Sequence, residues 1–308
     1  MGTSAEATGH LGLGIDAGGT RTRWALADGG GAILAEGHVA GLSALQMSNA
    51  SGRHSVRAIF AELAQAALLH GRPGHVRAGL TGFGGEGEQL QRWLAELLGL
   101  PLAAISLCND IEIAYLGSFK PGAGYLVYAG TGSIGAYIDG HKQFHRAGGR
   151  GVLLDDGGGG FWIAREALRL IWRNEDERPG AWRESPMARA VFDYVGGDDW
   201  AYSRQFIYGQ ERGAVGKLAL AVAASADSDP AALAIMQAAG LELARLARAL
   251  TERFGERPLV LSGRASSLHP AIAAAMRAAL PAKLQLTHTI GLAHHAAARI
   301  AATDLPMP

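Results

Sequence analysis

The sequence predicts an α/β fold made of two related domains, each with a mixed sheet covered by helices. Strand-like apolar runs alternate with segments of helical periodicity along the chain. A strand, a glycine turn and a second strand open the segment 11–27, and the same order returns at 125–139. Between these openings the segment 120–124, Lys-Pro-Gly-Ala-Gly, is the strongest linker signal. Repetition of the opening on either side of a linker is typical of two related domains.

The first half of the chain begins with a meander and then alternates strands with helices. Short apolar runs bounded by turn residues predict strands at 11–16, 21–27, 32–39, 76–81 and 102–107. Apolar residues at helical spacing predict helices at 53–69, 87–98 and 110–116. A meander followed by alternating strands and helices implies a mixed sheet with helices packed on it.

The second half of the chain repeats this pattern and adds a long helical region. Strands are predicted at 125–129, 135–139, 143–146, 259–262 and 284–288. Helical patterning begins at Phe161 and lasts until the fourth of these strands, and later helices are predicted at 270–279 and 291–302. The predicted domains are therefore 1–119 and 120–289. The sequence does not determine whether a C-terminal helix at 290–302 packs back on the first domain.

Charge and composition exclude several classes of protein. The 308 residues carry 28 basic and 28 acidic side chains, without the basic excess of a nucleic-acid-binding protein. The single cysteine, Cys108, excludes an internal disulfide framework and a Cys-rich zinc site, and a reduced cytoplasmic setting fits it. We expect Cys108 to be a core thiol. No apolar run is long enough for a transmembrane helix, so no membrane partner is expected.

The first ten residues are small and polar. They lack the basic start and the apolar run of a signal peptide. We therefore expect residues 1–10 to form a frayed tail.

The first glycine loop, Asp-Ala-Gly-Gly-Thr at 16–20, lies between two predicted strands. Glycines without a Cβ let backbone N–H groups approach phosphate oxygens, and a threonine hydroxyl adds a donor. Asp16 at the strand end can hold a magnesium ion through water. Taken alone, the loop also fits an ordinary glycine hairpin.

A second loop of the same chemistry, Gly-Thr-Gly-Ser at 130–133, follows another apolar strand. Two phosphate-binding loops, each opening one half of the chain, predict a nucleotide in the cleft between two domains. Other nucleotide motifs fail, because the Gly-x-Gly pattern at 12–17 lies inside a strand and Lys217 is followed by Leu218 instead of Ser or Thr.

Asp110 is the candidate catalytic carboxylate of the first half. It follows Asn109 at the end of a predicted strand and the start of a helix. A carboxylate there can act as a positioned base in phosphoryl transfer. Asp is also among the best N-cap residues, and Glu112 follows in the first turn. From the residues alone the base and the cap stay equally open.

Three motifs resemble those of the actin/hexokinase/Hsp70 ATPase superfamily. The loop at 16–20 resembles its first phosphate motif, the loop at 130–133 its second, and Leu-Val-Leu-Ser-Gly-Arg-Ala at 259–265 its adenosine motif. The block from Gly-Gly-Arg-Gly at 148–151 through Asp156 to Phe-Trp-Ile-Ala at 161–164 resembles the N-acetylglucosamine kinase or BadF/BadG/BcrA/BcrD ATPase family. The resemblance implies a two-domain actin-like ATPase (ribonuclease H-like) fold with a nucleotide cleft between the domains.

The resemblance also implies an activity and a set of site residues. The activity is ATP- and Mg²⁺-dependent phosphorylation of the 6-hydroxyl of an amino sugar, with N-acetylglucosamine favoured. Asp110 is then the catalytic base and Asp16 the metal residue. The implied ATP-binding residues are Gly18, Gly19, Thr20, Thr131, Gly132, Gly263, Arg264 and Ala265. The implied sugar-binding residues are Ser43, Asp110, Ser133, Ile134, Gly149, Arg150, Gly151 and Asp156.

The chain departs from the family pattern around the implied sugar site. Arg150 stands where the family has Trp, Gly157 where it has Glu, and Leu45 is nearest to the position of its sugar-contacting Asn. An arginine facing C2 of the sugar would repel the ammonium of glucosamine, which favours N-acetylglucosamine. These departures leave the exact sugar open.

Several other interpretations remain at this stage. A glucosamine kinase and a non-catalytic ATP-binding regulatory module of the same fold both fit the loops. An activator of a radical dehydratase needs two cysteines per subunit for a shared iron–sulfur cluster, and the chain has one. The family likeness implies a homodimer. His288, His294 and His295 lack the i,i+4 pairing of a helical metal site, so we expect surface or packing roles for them.

Overall fold

The computed structural model describes residues 11–85 and 87–303, and the predicted frayed tail at 1–10 lies outside them. The chain divides into two compact units. Unit 1 consists of Met1–Ser118 and Leu292–Pro308, and unit 2 of Phe119–Gly291.

Unit 1 contains a five-stranded mixed sheet. Its strands are β1 (Leu11–Ala17), β2 (Arg21–Ala27), β3 (Ile33–Ala40), β4 (Pro73–Leu80) and β5 (Ile105–Asn109). The strand order is β3-β2-β1-β4-β5. The first three strands form the antiparallel meander, whereas β4 and β5 run parallel to β1. The mixed sheet predicted from the sequence is confirmed.

Unit 2 contains a second five-stranded sheet with the same topology. Its strands are β6 (Tyr125–Ala129), β7 (Ser133–Ile138), β8 (Phe144–Gly148), β9 (Leu259–Ser262) and β10 (Leu286–His288). The order is β10-β9-β6-β7-β8, with β6, β7 and β8 antiparallel and β9 and β10 parallel to β6. Each unit thus has a meander followed by two parallel strands, as the repeated opening predicts.

Helices cover both sheets. Those of unit 1 are α1 (Ala50–Leu68), α2 (Glu88–Leu98), α3 (Asp110–Leu116) and α11 (Ala293–Ala302). Those of unit 2 are α4 (Gly160–Glu177), α5 (Pro186–Val195), α6 (Trp200–Gly209), α7 (Arg212–Lys217), α8 (Ala219–Ala224), α9 (Pro230–Phe254) and α10 (Pro270–Ala278). Among the described residues, no helix combines the length and apolar character that a membrane crossing needs.

The last helix, α11, packs directly on the backbone of β1. A β-carbon built at Gly14 would lie 2.1 Å from the His294 carbonyl oxygen, and one at Gly12 would lie 2.1 Å from the Ala302 nitrogen. Real side chains cannot approach backbone so closely. The two glycines therefore let a helix from the end of the sequence cover the first strand.

The predicted strand at 102–107 begins three residues later in the structure. Residues Leu102–Ala104 form a 3₁₀ turn, closed by a hydrogen bond from Ala104 N to Pro101 O of 3.0 Å. Cys108 lies in the following strand and is buried, as predicted for a core thiol. Burial raises the pKa of Cys108 to about 12, so the thiol stays protonated at neutral pH.

Candidate active site

Three parallel strands of unit 1 end side by side at one edge of the sheet. In the register, Ala17 of β1 lies opposite Leu80 of β4, and Leu80 lies opposite Asn109 of β5. The next residues along the chain are Gly18, Thr81 and Asp110. In α/β sheets, ligands bind at the carboxyl ends of parallel strands. This edge therefore brings together the first glycine loop and the candidate carboxylate.

The loop after β1 rests on the segment that follows β3. Leu42 N donates to Gly18 O at 3.1 Å, and a β-carbon at Gly41 would lie 2.4 Å from Gly19 O. Gly41 is thus required for this contact, although the sequence did not single it out. A β-carbon at Gly19 would meet nothing within 4 Å, and Gly19 and Thr20 are exposed. The outer side of this loop is open to a ligand within unit 1.

Asp110 is not the N-cap of α3. The cap is Asn109, whose side chain accepts from Ile111 N at 3.0 Å, while Glu112 accepts from Asn109 N at 3.2 Å. The Asn109 side chain also accepts from the Glu112 amide, and this bond together with that from Asn109 N to the Glu112 side chain forms a complete capping box. Asp110 is the first helical residue, and its Oδ1 shares the Ile111 amide at 3.0 Å. Asn109 and Glu112 therefore cap α3 without a contribution from Asp110.

The surroundings of Asp110 favour its protonated form. Burial raises the pKa of this carboxyl, and hydrogen bonds from the Thr81 hydroxyl and the Ile111 amide act in the opposite direction. A carboxyl with a raised pKa is a better proton acceptor once ionised, which is what a general base requires.

Thr81 lies at the candidate site, and the sequence analysis missed it. Its side chain is hydrogen-bonded to Asp110, its N donates to Ala17 O at 2.9 Å, and its O accepts from Ser43 Oγ at 3.1 Å. Thr81 therefore connects the strand end of the glycine loop, the Ser43 segment and the carboxylate. One sequence signal could have identified Thr81: like Asp110, it directly follows a buried strand.

Asp16 fits the role of a magnesium residue. It is the next-to-last residue of β1 and is partly exposed at the same edge of the sheet. Mg²⁺ prefers carboxylate oxygens and keeps several waters, so one carboxylate beside bound phosphates is a suitable protein contribution.

In unit 2, the second glycine loop is a tight hairpin held by the start of α4. Gly130 N donates to Gly132 O at 2.8 Å. Gly160 N donates to Gly130 O at 2.8 Å, and Phe161 N donates to Thr131 O at 2.9 Å. The hairpin carbonyls are thus bonded within the protein, while Thr131 and Gly132 remain partly exposed.

Asp156 joins the hairpin to the Gly-Gly-Arg-Gly segment. Its carboxylate accepts from Gly151 N at 3.1 Å and from the Arg150 amide, and a β-carbon at Gly132 would lie 2.1 Å from its Oδ2. Burial raises the pKa of Asp156, and these amide bonds partly offset it. The residue has a φ of 57°, a conformation that side chains other than glycine adopt at some cost.

The remaining sugar-site candidates pack around the same loop. Ser133 is buried, and its hydroxyl donates to Gly157 O at 2.6 Å, so this side chain holds the glycine loop. Gly149 N donates to Ser133 O at 3.1 Å, and a β-carbon at Gly149 would lie 2.6 Å from Ile134 Cδ1. The Arg150 side chain is exposed. The structure therefore brings Ser133, Ile134, 149–151 and Asp156 together.

At Gly157, the departure from the family pattern coincides with close approach of a side chain from α9. A β-carbon there would lie 2.7 Å from Glu242 Oε2 and 2.8 Å from Glu242 Cγ. Glu242 belongs to α9 and pairs with Arg245 at 2.9 Å, which in turn pairs with Asp155 at 2.9 Å. A carboxylate from α9 thus occupies the space beside Asp156 that a side chain at 157 would need.

The segment after β9 lies beside the hairpin. Ser262 is opposite Tyr128 in the parallel pair β6–β9, and Gly263 has a φ of 95°. A β-carbon at Gly263 would lie 2.3 Å from Ala129 O, so only glycine fits here. Ala265 is buried, whereas Arg264 is exposed. The candidate adenosine segment and the second glycine loop therefore share one edge of the unit 2 sheet.

The site residues predicted from the sequence are distributed over both units. Unit 1 holds Asp16, 18–20, Ser43 and Asp110. Unit 2 holds 131–134, 149–151, Asp156 and 263–265.

A fold of two such sheets with glycine loops at their strand ends defines an actin-like ATPase. The BadF/BadG/BcrA/BcrD ATPase family matches residues 13–289. The chain belongs to this family.

Individual relatives agree with this assignment. An N-acetyl-D-glucosamine kinase from Dictyostelium discoideum is 30% identical over 189 residues, which are 54% of this chain and 55% of that protein. The chain thus matches about half the length of this curated relative. A solved structure of a candidate N-acetylglucosamine kinase from Chromobacterium violaceum has a TM-score of 0.71 at 27% identity, covering 95% of this chain and 99% of the other. A glucokinase of the ROK family from Streptomyces griseus, solved with glucose and AMPPNP, shares the fold at a TM-score of 0.62 and 19% identity, covering 96% and 98%.

Proposed function

We propose that this protein is an ATP-dependent sugar kinase that phosphorylates the 6-hydroxyl of an amino sugar, with N-acetylglucosamine as the favoured acceptor. The observation that carries the proposal is Asp110, a carboxyl with a raised pKa at the strand edge beside the first glycine loop. It has no capping role of its own, because Asn109 caps the helix. The family and the kinase relatives support the same activity.

In this proposal the residues of unit 1 bind phosphate and activate the acceptor. Asp110 accepts the proton of the sugar hydroxyl and orients that oxygen toward the γ-phosphorus. Gly18 N already donates to Arg21 O at 3.2 Å, so the loop offers the backbone amides of Gly19 and Thr20 and the Thr20 hydroxyl to phosphate oxygens. Asp16 would hold Mg²⁺ through water, and the ion would neutralise charge on the phosphates.

The residues of unit 2 complete the proposed binding of both substrates. Thr131 and Gly132 contact phosphate, and the segment 263–265 contacts the ribose and adenine. The sugar is bound by Asp156, Ile134 and 149–151, while Ser133 holds their loop in place. Arg150 is exposed at this loop and disfavours an acceptor with an ammonium group.

A coupled ADP-release assay across a panel of sugars, with a sugar-free control, tests the proposal. A kinase releases ADP in proportion to the sugar supplied, with N-acetylglucosamine above glucosamine. ADP release equal with and without sugar contradicts the kinase activity. Binding of ATP without any turnover would instead favour a regulatory module. A clear preference for glucosamine would overturn the favoured acceptor and leave the kinase activity in place.

The variant Gly19→Val is expected to weaken ATP binding at least about tenfold, or about 1.4 kcal/mol. The branched side chain would stand where phosphate approaches the backbone, yet it would meet nothing in unit 1, because a β-carbon at Gly19 has no neighbour within 4 Å. Calorimetric titration with ATP measures the change.

The matched control for this variant is Gly29→Val. Gly29 is also exposed, lies in the β2–β3 turn, and has no neighbour within 4 Å of its β-carbon position. If Gly19→Val and Gly29→Val bind ATP with equal affinity, the first glycine loop is not part of the ATP site. Gly132→Val is a poorer test of the second loop, because its side chain would displace Asp156 itself.

The variant Thr81→Val is expected to move the acid limb of the pH dependence of kcat/KM to higher pH. The Thr81 hydroxyl lowers the pKa of Asp110, so its loss raises that pKa further, and the base is then protonated at a higher pH. Thr303→Val is the control, because it removes a threonine hydrogen bond to Ile300 O that does not involve Asp110. If the acid limb of Thr81→Val is unchanged, the ionisation of Asp110 does not determine that limb.

We also propose a homodimer that acts in the cytoplasm. A reducing compartment fits the single, buried cysteine. Light scattering on the purified protein checks the oligomeric state, and a mass equal to one chain would contradict the dimer.

A further inference from the structure

A cluster of two histidines and a glutamate lies in unit 1 between an edge strand and the last helix. Glu36 is on β3, and His294 and His295 are at the start of α11. The distance from His294 Nε2 to Glu36 Oε2 is 3.5 Å, and His295 Nε2 is in hydrogen-bond contact with the same oxygen. One donor atom from each residue lies within 4.8 Å of the other two.

The fold keeps these three residues close together. Glu36 lies opposite Ala25 in the β2–β3 pair, and Ala25 packs against α11 through Ala298. Gly14 allows the backbone of His294 to rest directly on β1. Backbone packing therefore fixes how closely the first turn of α11 approaches the sheet. Only the three side chains need to adjust to a ligand.

His294 is buried without a normal hydrogen bond on either ring nitrogen. It is 4% exposed, its Nδ1 has no partner among the described residues, and its Nε2 reaches Glu36 only at 3.5 Å. A buried polar group in this state costs free energy. A cation bound between Nε2 and Glu36 Oε2 would replace the long contact on that nitrogen, while Nδ1 stays without a partner among the described residues.

The surroundings of His294 also suit a metal ion. Burial favours the neutral form of an imidazole, and neutral imidazole is the form that binds metal ions. The positive charge of Arg23 acts on His294, and its repulsion opposes binding.

We propose that Glu36, His294 and His295 bind a divalent transition-metal ion of the Zn²⁺ type. Two imidazole nitrogens and one carboxylate oxygen are a donor set that Zn²⁺ accepts, with water in the fourth position. Tetrahedral ligands at Zn²⁺ bond lengths lie about 3.4 Å apart, close to the 3.5 Å between His294 and Glu36, whereas the shorter contact of His295 with Glu36 must open to admit the ion. The ion would join β3 to α11, and it would be separate from the magnesium proposed at Asp16.

This proposal departs from the surface or packing role expected for these histidines. In sequence, a helical metal site is recognised by a second ligand four residues along the same helix. The structure instead provides adjacent histidines and takes the third ligand from a strand 259 positions away from His295.

Titration of the tag-free, chelator-treated full chain with ZnCl₂ tests the site, followed by calorimetry and thermal unfolding. We expect one ion per chain and a higher Tm with Zn²⁺. In His295→Gln and Glu36→Gln the affinity should fall by more than the roughly 10–100-fold that is typical for loss of an outer-shell partner. The His295 side chain is partly exposed and that of Glu36 is exposed, so these variants leave the buried His294 side chain itself in place.

The matched control is His145→Gln, which removes the imidazole of an ordinary pair with Asp139 at 2.8 Å in unit 2. This variant should keep the Zn²⁺ affinity and the rise in Tm. The proposal is overturned when the parent chain binds no stoichiometric Zn²⁺, or when His145→Gln loses as much affinity as His295→Gln. Cobalt(II) absorption gives an independent readout, since an intense visible band marks tetrahedral coordination and its absence from the parent chain contradicts the geometry.

Discussion

The variant Asp110→Asn is expected to reduce turnover at least about a hundredfold while the protein stays folded and binds ATP. General-base catalysis contributes about 10²–10⁴ in rate, and an amide cannot accept the proton of the sugar hydroxyl. The capping box of Asn109 and Glu112 does not depend on the Asp110 carboxylate, so α3 should keep its start. Turnover, ATP affinity and Tm are measured on the one variant.

Stability distinguishes this role from a structural one. Because burial raises the pKa of Asp110 in the folded protein, its ionisation costs folding free energy above that pKa. Asparagine removes the charge and this cost, so the Tm at neutral pH should be unchanged or higher. In the parent enzyme, turnover should fall as the pH drops through the raised pKa.

Asn109→Ala is the matched control at the neighbouring position. Loss of the cap should cost about 0.5–2 kcal/mol of stability, with turnover changed far less than in Asp110→Asn. The base is excluded when Asp110→Asn keeps turnover within a few-fold of the parent. It is also excluded when the loss of turnover follows a loss of folded protein.

The variant Gly14→Val is expected to destabilise the protein by at least about 3 kcal/mol, at the upper end of the cost of overpacking. A β-carbon at this position would lie 2.1 Å from His294 O and 2.2 Å from Ala298 N. Both are backbone atoms, so no change of rotamer relieves the clash and α11 must leave the sheet. Urea unfolding measures the midpoint and the slope.

Gly29→Val is again the control, because its β-carbon position is open. A surface change of this kind should remain within about 0.5 kcal/mol of the parent. A midpoint for Gly14→Val close to that of the control would mean that α11 does not pack on β1 as described.

Local signals in the sequence predicted most of the fold. The strands at 21–27, 125–129 and 259–262 and the helix at 110–116 have the predicted bounds. Each is a short apolar or amphipathic run between glycine, proline or capping residues, so its limits are encoded nearby. At 102–104 the apolar pattern alone could not separate a 3₁₀ turn from a strand.

The choice of helix cap shows where local signals end. Asn109 and Asp110 are both good caps by residue type. The structure gives the role to Asn109, which has the extended conformation with φ −70° and ψ 147°. The side chains alone do not determine which of two neighbours adopts it.

Long-range contacts could not be predicted from the sequence. The hydrogen bond of Thr81 with Asp110 depends on the register of β4 and β5. The position of Glu242 beside Gly157 depends on how α9 packs on the loop. Neither pair leaves a pattern in either local segment, because each partner is ordinary in its own surroundings.

The docking of α11 on β1 and β2 also determines the order in which the two units can be completed during synthesis. Unit 2 is one continuous stretch, Phe119–Gly291, and all of it emerges from the ribosome before α11 does. Unit 1 is translated first but lacks the cover of β1 and β2 until Ala293–Ala302 has been made. β1 and β2 are thus made before unit 2 but covered only after it, and a chain ending at Gly291 would contain all of unit 2 while leaving this face of the first sheet exposed to aggregation.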